Sequence, residues 1–239
     1  MERTVRAFVA GATGLTGRSV VASLRRRGAA VAAHVRPDSP RLDAWRTRFE
    51  ALGAEVDTSA WAEAAMRETL RHREVTHVFA LLGTTRARAR RVERAGGDPA
   101  KETYEAVDYG LTAVLRRAAE GSGARPRFVY LSSMGVRDGT RNAYLAARAR
   151  LERELRAGSL PYTIVRPSFI VGERDEVRAG EAVGAALGDG LLALLGASGA
   201  RRLRDRYRSI RAEDLAEALV RLALDPAAAD RVVAADELR

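Results

Sequence analysis

Three glycines separated by pairs of residues, in Gly11-Ala12-Thr13-Gly14-Leu15-Thr16-Gly17, carry the most specific chemistry in this chain of 239 residues. The apolar run Val5–Ala10 leads into them, and Val20, Val21 and Leu24 follow at helical spacing, so the segment converts a strand into a helix. In that setting the first glycine permits a tight turn, the second lets the backbone approach a pyrophosphate, and the third allows close packing of helix on strand. The amides around Thr13, Leu15 and Thr16, together with the helix dipole, favour phosphate charge. The spacing departs by one residue from the commoner Gly-x-Gly-x-x-Gly pattern. Glycines also mark ordinary turns, so the strand–turn–helix context carries the assignment to a dinucleotide.

The residue after a second strand in such a site reads the adenosine ribose. An acidic side chain there would accept from a 2′-hydroxyl, whereas this chain has Arg36, whose guanidinium can hold a 2′-phosphate through paired hydrogen bonds. With Arg18 in support, the expected cofactor is NADP rather than NAD. Asp57 ends a third strand and is placed to contact adenine or to cap the helix that follows. Ser132-Ser133 lacks a Gly-x-Ser-x-Gly elbow and an evident His partner, which argues against a hydrolase. On its own the pair reads as a polar strand end that begins a turn before Gly135. His34, His72 and His77 fall in no metal-binding spacing and read as packed or exposed residues.

The elements that must position these groups alternate. Apolar runs at Val5–Ala10, Ala29–Val35, Ala54–Val56, Val75–Leu82, Phe128–Leu131 and Tyr162–Val165 read as strands. Helical spacing is found over Arg41–Leu52, Trp61–Arg71, Lys101–Glu120 and Asn142–Ala157. Near the C-terminus, Ile210–Ala216 begins a helix and Arg231–Ala234 forms a further strand. Strands and helices at this spacing build βαβ units, hence an α/β protein with a doubly wound parallel sheet of the Rossmann type. No internal repeat or Pro- or Ser-rich linker divides the chain, so residues 1–239 are expected to form one domain with a small C-terminal substrate region.

Five segments occur in an order that resembles the atypical short-chain dehydrogenase/reductases, especially the subgroup that includes the Tat-interacting proteins. They are Gly11–Gly17, Leu81-Leu82-Gly83-Thr84-Thr85, Tyr130-Leu131-Ser132-Ser133-Met134-Gly135, Tyr144-Leu145-Ala146-Ala147-Arg148 and Arg166-Pro167-Ser168. By that resemblance Ser133, in preference to Ser132, would hydrogen-bond the substrate oxygen, and Tyr144 would exchange a proton with it. The resemblance also puts Leu82 and Gly83 near the nicotinamide ribose, and the backbone after Arg166-Pro167 near the carboxamide. The family's lysine, four residues after the tyrosine, is replaced by Arg148. Lysine there would favour the phenolate, bind the ribose hydroxyls and relay a proton. Arginine keeps the charge and can still reach a ribose, but it does not release a proton near neutral pH. Tyr144 and Arg148 could equally be two helix residues one turn apart with no chemistry.

Composition narrows the remaining choices. The formal charge is +10, but it is spread along the chain and is almost all arginine, with Lys101 the only lysine. Solvated helix faces account for such a distribution, and no specific nucleic-acid partner is expected. No apolar run is long enough for a bilayer, and cysteine is absent, which excludes disulfides and thiolate sites. A cytoplasmic location, no membrane partner and a monomer or homodimer are expected. Val183–Leu195, rich in Ala, Gly and Leu, reads either as a mobile segment over a small pocket or as a core or dimer-facing helix. Two functions remain: an NADP(H)-dependent oxidoreductase acting on a small carbonyl substrate, or a non-catalytic NADP(H) sensor acting through a protein partner.

Overall fold

The computed structural model describes residues 4–172 and 208–238. The elements run β1 (Arg6–Ala10), α1 (Leu15–Arg26), β2 (Ala30–His34), α2 (Leu42–Ala51), β3 (Glu55–Asp57), α3 (Glu63–His72), β4 (His77–Ala80) and α4 (Arg86–Arg94). They continue with α5 (Thr112–Gly121), β5 (Arg127–Leu131), α6 (Ala143–Ala157), β6 (Tyr162–Arg166), β7 (Ile170–Val171), β8 (Ile210–Arg211), α7 (Ala212–Leu224) and β9 (Arg231–Ala234).

Seven strands form one sheet in the order β3-β2-β1-β4-β5-β6-β9, and every neighbouring pair is parallel. The apolar runs are short and nearly continuous because each strand is covered on both faces. In β1, Ala7 and Val9 join the core beneath α1, α2 and α7, with Val20, Leu24, Phe49 and Leu219. Phe8 and Ala10, on the other side of the pleat, join α3, α5 and α6 through Met66, Leu115, Leu151 and Leu155. Winding reverses between β1 and β4, which are adjacent in the sheet. That switch opens a crevice at the carboxyl ends of the strands, where such sheets take their ligands. β7 and β8 form a separate two-stranded parallel ladder.

The structure departs from the expected elements in two places. Lys101–Glu120 is not one helix: a 3-10 turn over Pro99–Glu102 is followed by extended Thr103 and a π-helix over Tyr104–Leu111, which passes into α5. Asp98 caps the 3-10 turn at the Ala100 amide, and the Thr103 hydroxyl accepts from the Ala106 amide at 3.1 Å, so two local starts interrupt a continuous apolar spacing. The arginine-rich Arg86–Arg94, between the expected strand Val75–Leu82 and the expected helix Lys101–Glu120, is a further helix, capped by Thr85, whose hydroxyl accepts from the Arg88 amide. Val183–Leu195 lies outside the described residues.

The loop after β1 is held by contacts only glycine allows. Gly11 has φ of +80°, and a side-chain carbon on it would meet the Leu81 carbonyl oxygen at 2.6 Å. A carbon on Gly17 would lie 2.1 Å from the Gly11 carbonyl oxygen, so α1 can seat on β1 only without one. Gly17→Ala is therefore expected to lower unfolding stability by about 1–3 kcal/mol or more. Urea denaturation is the check, and an unchanged midpoint would show that the loop can yield.

Candidate active site

Gly14 begins α1 in extended conformation, and its N–H donates to the Gly11 carbonyl at 3.0 Å. No side chain caps this helix and its first turn carries no acidic residue. The free amide donors of the first turn, presented beside a Cβ-free backbone, suit the pyrophosphate of a dinucleotide. Leu15 sits half-buried in that turn and Thr16 is buried, while Thr13 is half-buried in the loop itself. The cradle thus fits the expected group.

Beyond β2, Arg36 is exposed, with an ion pair of 3.8 Å to Asp38. Nearby elements add arginines that converge on Trp45: the guanidinium centres of Arg41 and Arg18 lie 4.9 and 6.0 Å from its ring. Arg41, which precedes α2, was not anticipated; its place in the loop after β2 was the available signal. Asp57 is buried and committed within the protein. Its Oδ1 accepts from the Ser59 amide at 3.0 Å, and Arg73 Nε approaches Oδ2 at 3.4 Å. It does not cap α3, because that helix starts later, at an N-cap of Ala62. His34 ends β2 as a packed residue, its ring 4.6 Å from Trp61 and its Nε2 donating to the Ser59 carbonyl at 3.0 Å.

The two serines after β5 face different surroundings. Ser132 is buried and donates to Glu152 Oε1 at 2.6 Å. Ser133 is half-buried, and its hydroxyl donates to the neighbouring Met134 carbonyl at 3.2 Å. Glu152 is itself only 1% exposed and also accepts from Arg166 Nε at 2.9 Å and from Arg156 at 2.5 Å. Sequence reasoning missed this carboxylate, although its place one turn after Arg148 and two after Tyr144 puts it on the same side of α6. Pro167 is buried, and its carbonyl accepts from the Met134 amide at 2.9 Å, which ties the ends of β5 and β6 together.

Tyr144, half-buried near the start of α6, stacks edge-on against Tyr104 at 5.3 Å. The Arg148 guanidinium lies 4.6 Å from the centre of the Tyr144 ring. Arg148 is buried, donates to the Leu131 carbonyl, and pairs with Asp108 Oδ1 at 2.7 Å. Asp108 Oδ2 accepts from the Thr84 amide at 3.0 Å. Burial pushes the Asp108 carboxyl up from its ordinary range, while Arg148 and the Thr84 amide pull it back. Burial alone would lower the Arg148 pKa, but Tyr130, Tyr144 and Asp108 outweigh it and raise that guanidinium further. Gly83 is exposed at the turn after β4, directly against this pair, and Leu82 is half-buried beside it. Asp108 was also missed; a lone acid within Ala106–Leu111 was its only mark in the sequence.

The sheet order, the glycine cradle and the crevice at the switch point define a dinucleotide-binding protein of the doubly wound class. Residues 11–226 match the NAD(P)H-binding family, and the chain belongs to it. Its relatives include the mitochondrial protein FMP52 of Debaryomyces hansenii, 29% identical over 171 residues that span 71% of this chain and 69% of that one. Mitochondrial fmp52 of Aspergillus fumigatus is 31% identical over 176 residues, spanning 72% of this chain and 69% of that one. Among solved structures, the oxidoreductase ylbE from Lactococcus lactis superimposes with a TM-score of 0.62 at 15% identity, covering 98% of this chain and 95% of that one. The leucoanthocyanidin reductase of Vitis vinifera, solved with NADPH, gives 0.63 at 14% identity, covering 95% and 67%. These structural likenesses show the Rossmann-type fold. The expected cytoplasmic location is overturned, since the fungal relatives are named as mitochondrial proteins. A lack of cysteine excludes disulfides but does not distinguish one reducing compartment from another.

Burial also makes a prediction about pH. It lowers the pKa of His34 from 6.5, against smaller opposing effects of the Ser59 carbonyl and Asp57, and lowers His77 in the same direction. The unfolded chain then takes up protons that the native state resists. Stability is fully present above about pH 6.5 and is lost as pH falls from there toward the lowered native values. Denaturation midpoints between pH 8 and pH 5 should fall, with a shallower slope in His34→Gln. An unchanged slope in that variant would remove His34 as a cause.

Proposed function

We propose that the protein is an NADP(H)-dependent reductase of a small carbonyl substrate. The observation that carries this reading is the Arg148 guanidinium held 4.6 Å from the Tyr144 ring and bonded to the Leu131 carbonyl, two residues before a Ser133 whose described bond goes only to a neighbouring carbonyl. Gly11, Thr13, Gly14, Leu15, Thr16 and Gly17 would hold the pyrophosphate, with Leu82, Gly83 and Pro167 along the same crevice. Arg36, with Arg18 and Arg41 nearby, would take a 2′-phosphate, which is the ground for NADP over NAD. The nicotinamide, when bound, supplies hydride chemistry. Ser133 would hold the carbonyl oxygen by donating a hydrogen bond, and Tyr144 would deliver its phenolic proton to that oxygen. Arg148 would act as a fixed positive charge beside the phenol rather than as a proton donor.

The competing reading, a non-catalytic NADP(H) sensor acting on a protein partner, draws on the same arginine. Its described bonds go to Leu131 and Asp108, and it offers no proton relay. NADPH consumption across small aldehydes, ketones and enones separates the two. Turnover by the wild type that falls about 100-fold or more in Tyr144→Phe is the expected result. A wild type that binds NADPH but turns over nothing, together with activity gained in Arg148→Lys, would sink the reductase. Cofactor choice is read separately by titration. Arg36→Ala should weaken NADPH binding about tenfold and leave NADH binding unchanged. Equal affinities for the two cofactors, indifferent to that substitution, would remove the preference for NADP.

A further inference from the structure

Asp108 lies on the π-helix, fully buried, where that helix, α6 and the turn after β4 come together. One carboxylate oxygen accepts from Arg148 of α6, and the other from the Thr84 amide in the turn after β4. The other end of the same guanidinium donates to the Leu131 carbonyl at the end of β5. The turn is secured a second time by the Thr84 hydroxyl, which donates to Glu102 at 3.2 Å; Glu102 in turn pairs with Arg88 at 2.7 Å. Gly83 belongs to this arrangement. A side-chain carbon on it would stand 3.2 Å from Arg148 Nη2 and 3.5 Å from Asp108 Oδ1. The turn lies next to the phosphate loop, since the Gly11 backbone abuts the Leu81 carbonyl.

Stability alone is a poor reason to keep such a group. Apolar residues of similar volume in place of a buried ion pair are often neutral or stabilising. Here the pair also leaves Arg148 Nε buried with no hydrogen-bond partner among the described residues, a cost that an apolar pair would avoid. What the pair does provide is direction: two charge-assisted bonds and an amide contact leave the turn and the helix bearing Tyr144 one relative position. The π register contributes, because bonding from i to i+5 presents a face at Asp108 that an α-helix would not.

We propose that Asp108 is a positioning residue for the cofactor crevice, holding the Gly83–Thr84 turn and the Arg148 guanidinium as one unit so that the crevice is formed before the dinucleotide arrives. The proposal rests on the cofactor half of the proposed function and not on turnover. NADPH affinity, read by fluorescence titration beside thermal midpoints, tests it. The double variant Asp108→Leu/Arg148→Met replaces the pair with apolar side chains. Losing the acceptor of the Thr84 amide offsets the relief of Arg148 Nε, so it should still fold cooperatively with a thermal midpoint near that of the wild type, yet bind NADPH about tenfold more weakly. Wild-type affinity in that variant would overturn the proposal. Gly83→Ala, at an exposed turn, should weaken NADPH several-fold in the wild type and by clearly less in the double variant, where the pair it crowds is gone. An equal effect in both backgrounds would also overturn it. If the double variant does not fold, Gly83→Ala is compared between wild type and Arg148→Lys, whose shorter amine leaves room for the methyl group, with the same two outcomes. A protein that binds NADPH and reduces no carbonyl would end the reductase reading while leaving these affinity comparisons intact.

Discussion

Arg148 carries a positive charge into a part of the molecule that excludes water, and its surroundings are organised around satisfying it. A buried guanidinium without a counter-charge would cost several kcal/mol, so Asp108 must be delivered to it from another element. The π-helix before α5 makes that delivery, and the same carboxylate is then near enough to accept from the Thr84 amide. Because Arg148 also reaches the Leu131 carbonyl, the ends of β4 and β5 are fixed against α6. Tyr144 takes its place one helical turn before this anchor, with its ring against the guanidinium.

A second buried charge, Glu152, does comparable work one turn further along α6. It gathers Ser132, Arg156 and Arg166, and so holds β5 and β6 to the helix below the crevice. Committing Ser132 to this carboxylate leaves Ser133 as the serine whose hydroxyl is not drawn into the network. The two halves of the sheet therefore differ in kind. On the β1–β3 side, backbone amides and exposed arginines present a surface suited to phosphate. On the β4–β6 side, buried charges hold Ser132 and the helix that bears Tyr144 in place.

Much of the fold was legible because its signals are local. A parallel strand covered on both faces must be an apolar run, and the alternation of such runs with helical spacing leaves little freedom in topology. The glycine loop was legible for a similar reason, since its demands act within seven residues. Arg36 was legible as a position, the residue after β2, and Asn142 began its helix where the spacing required. The break within Lys101–Glu120 was harder to see because capping by Asp98 and Thr103 overrides an apolar spacing that continues through it. Cellular location left no reliable mark in composition.

The sequence by itself determined the doubly wound sheet, the glycine turn between β1 and α1 and the departure from lysine at position 148, because each depends on residue type and on spacing along the chain. Only the tertiary structure decided what that departure means. Asp108 and Arg148 are 40 residues apart in the chain, and Ser132 and Glu152 are 20 apart. No periodicity links such pairs; they are joined by the requirement that a charge taken out of water find its partner through space. That requirement turns Arg148 from a substitution in a motif into the anchor of the crevice.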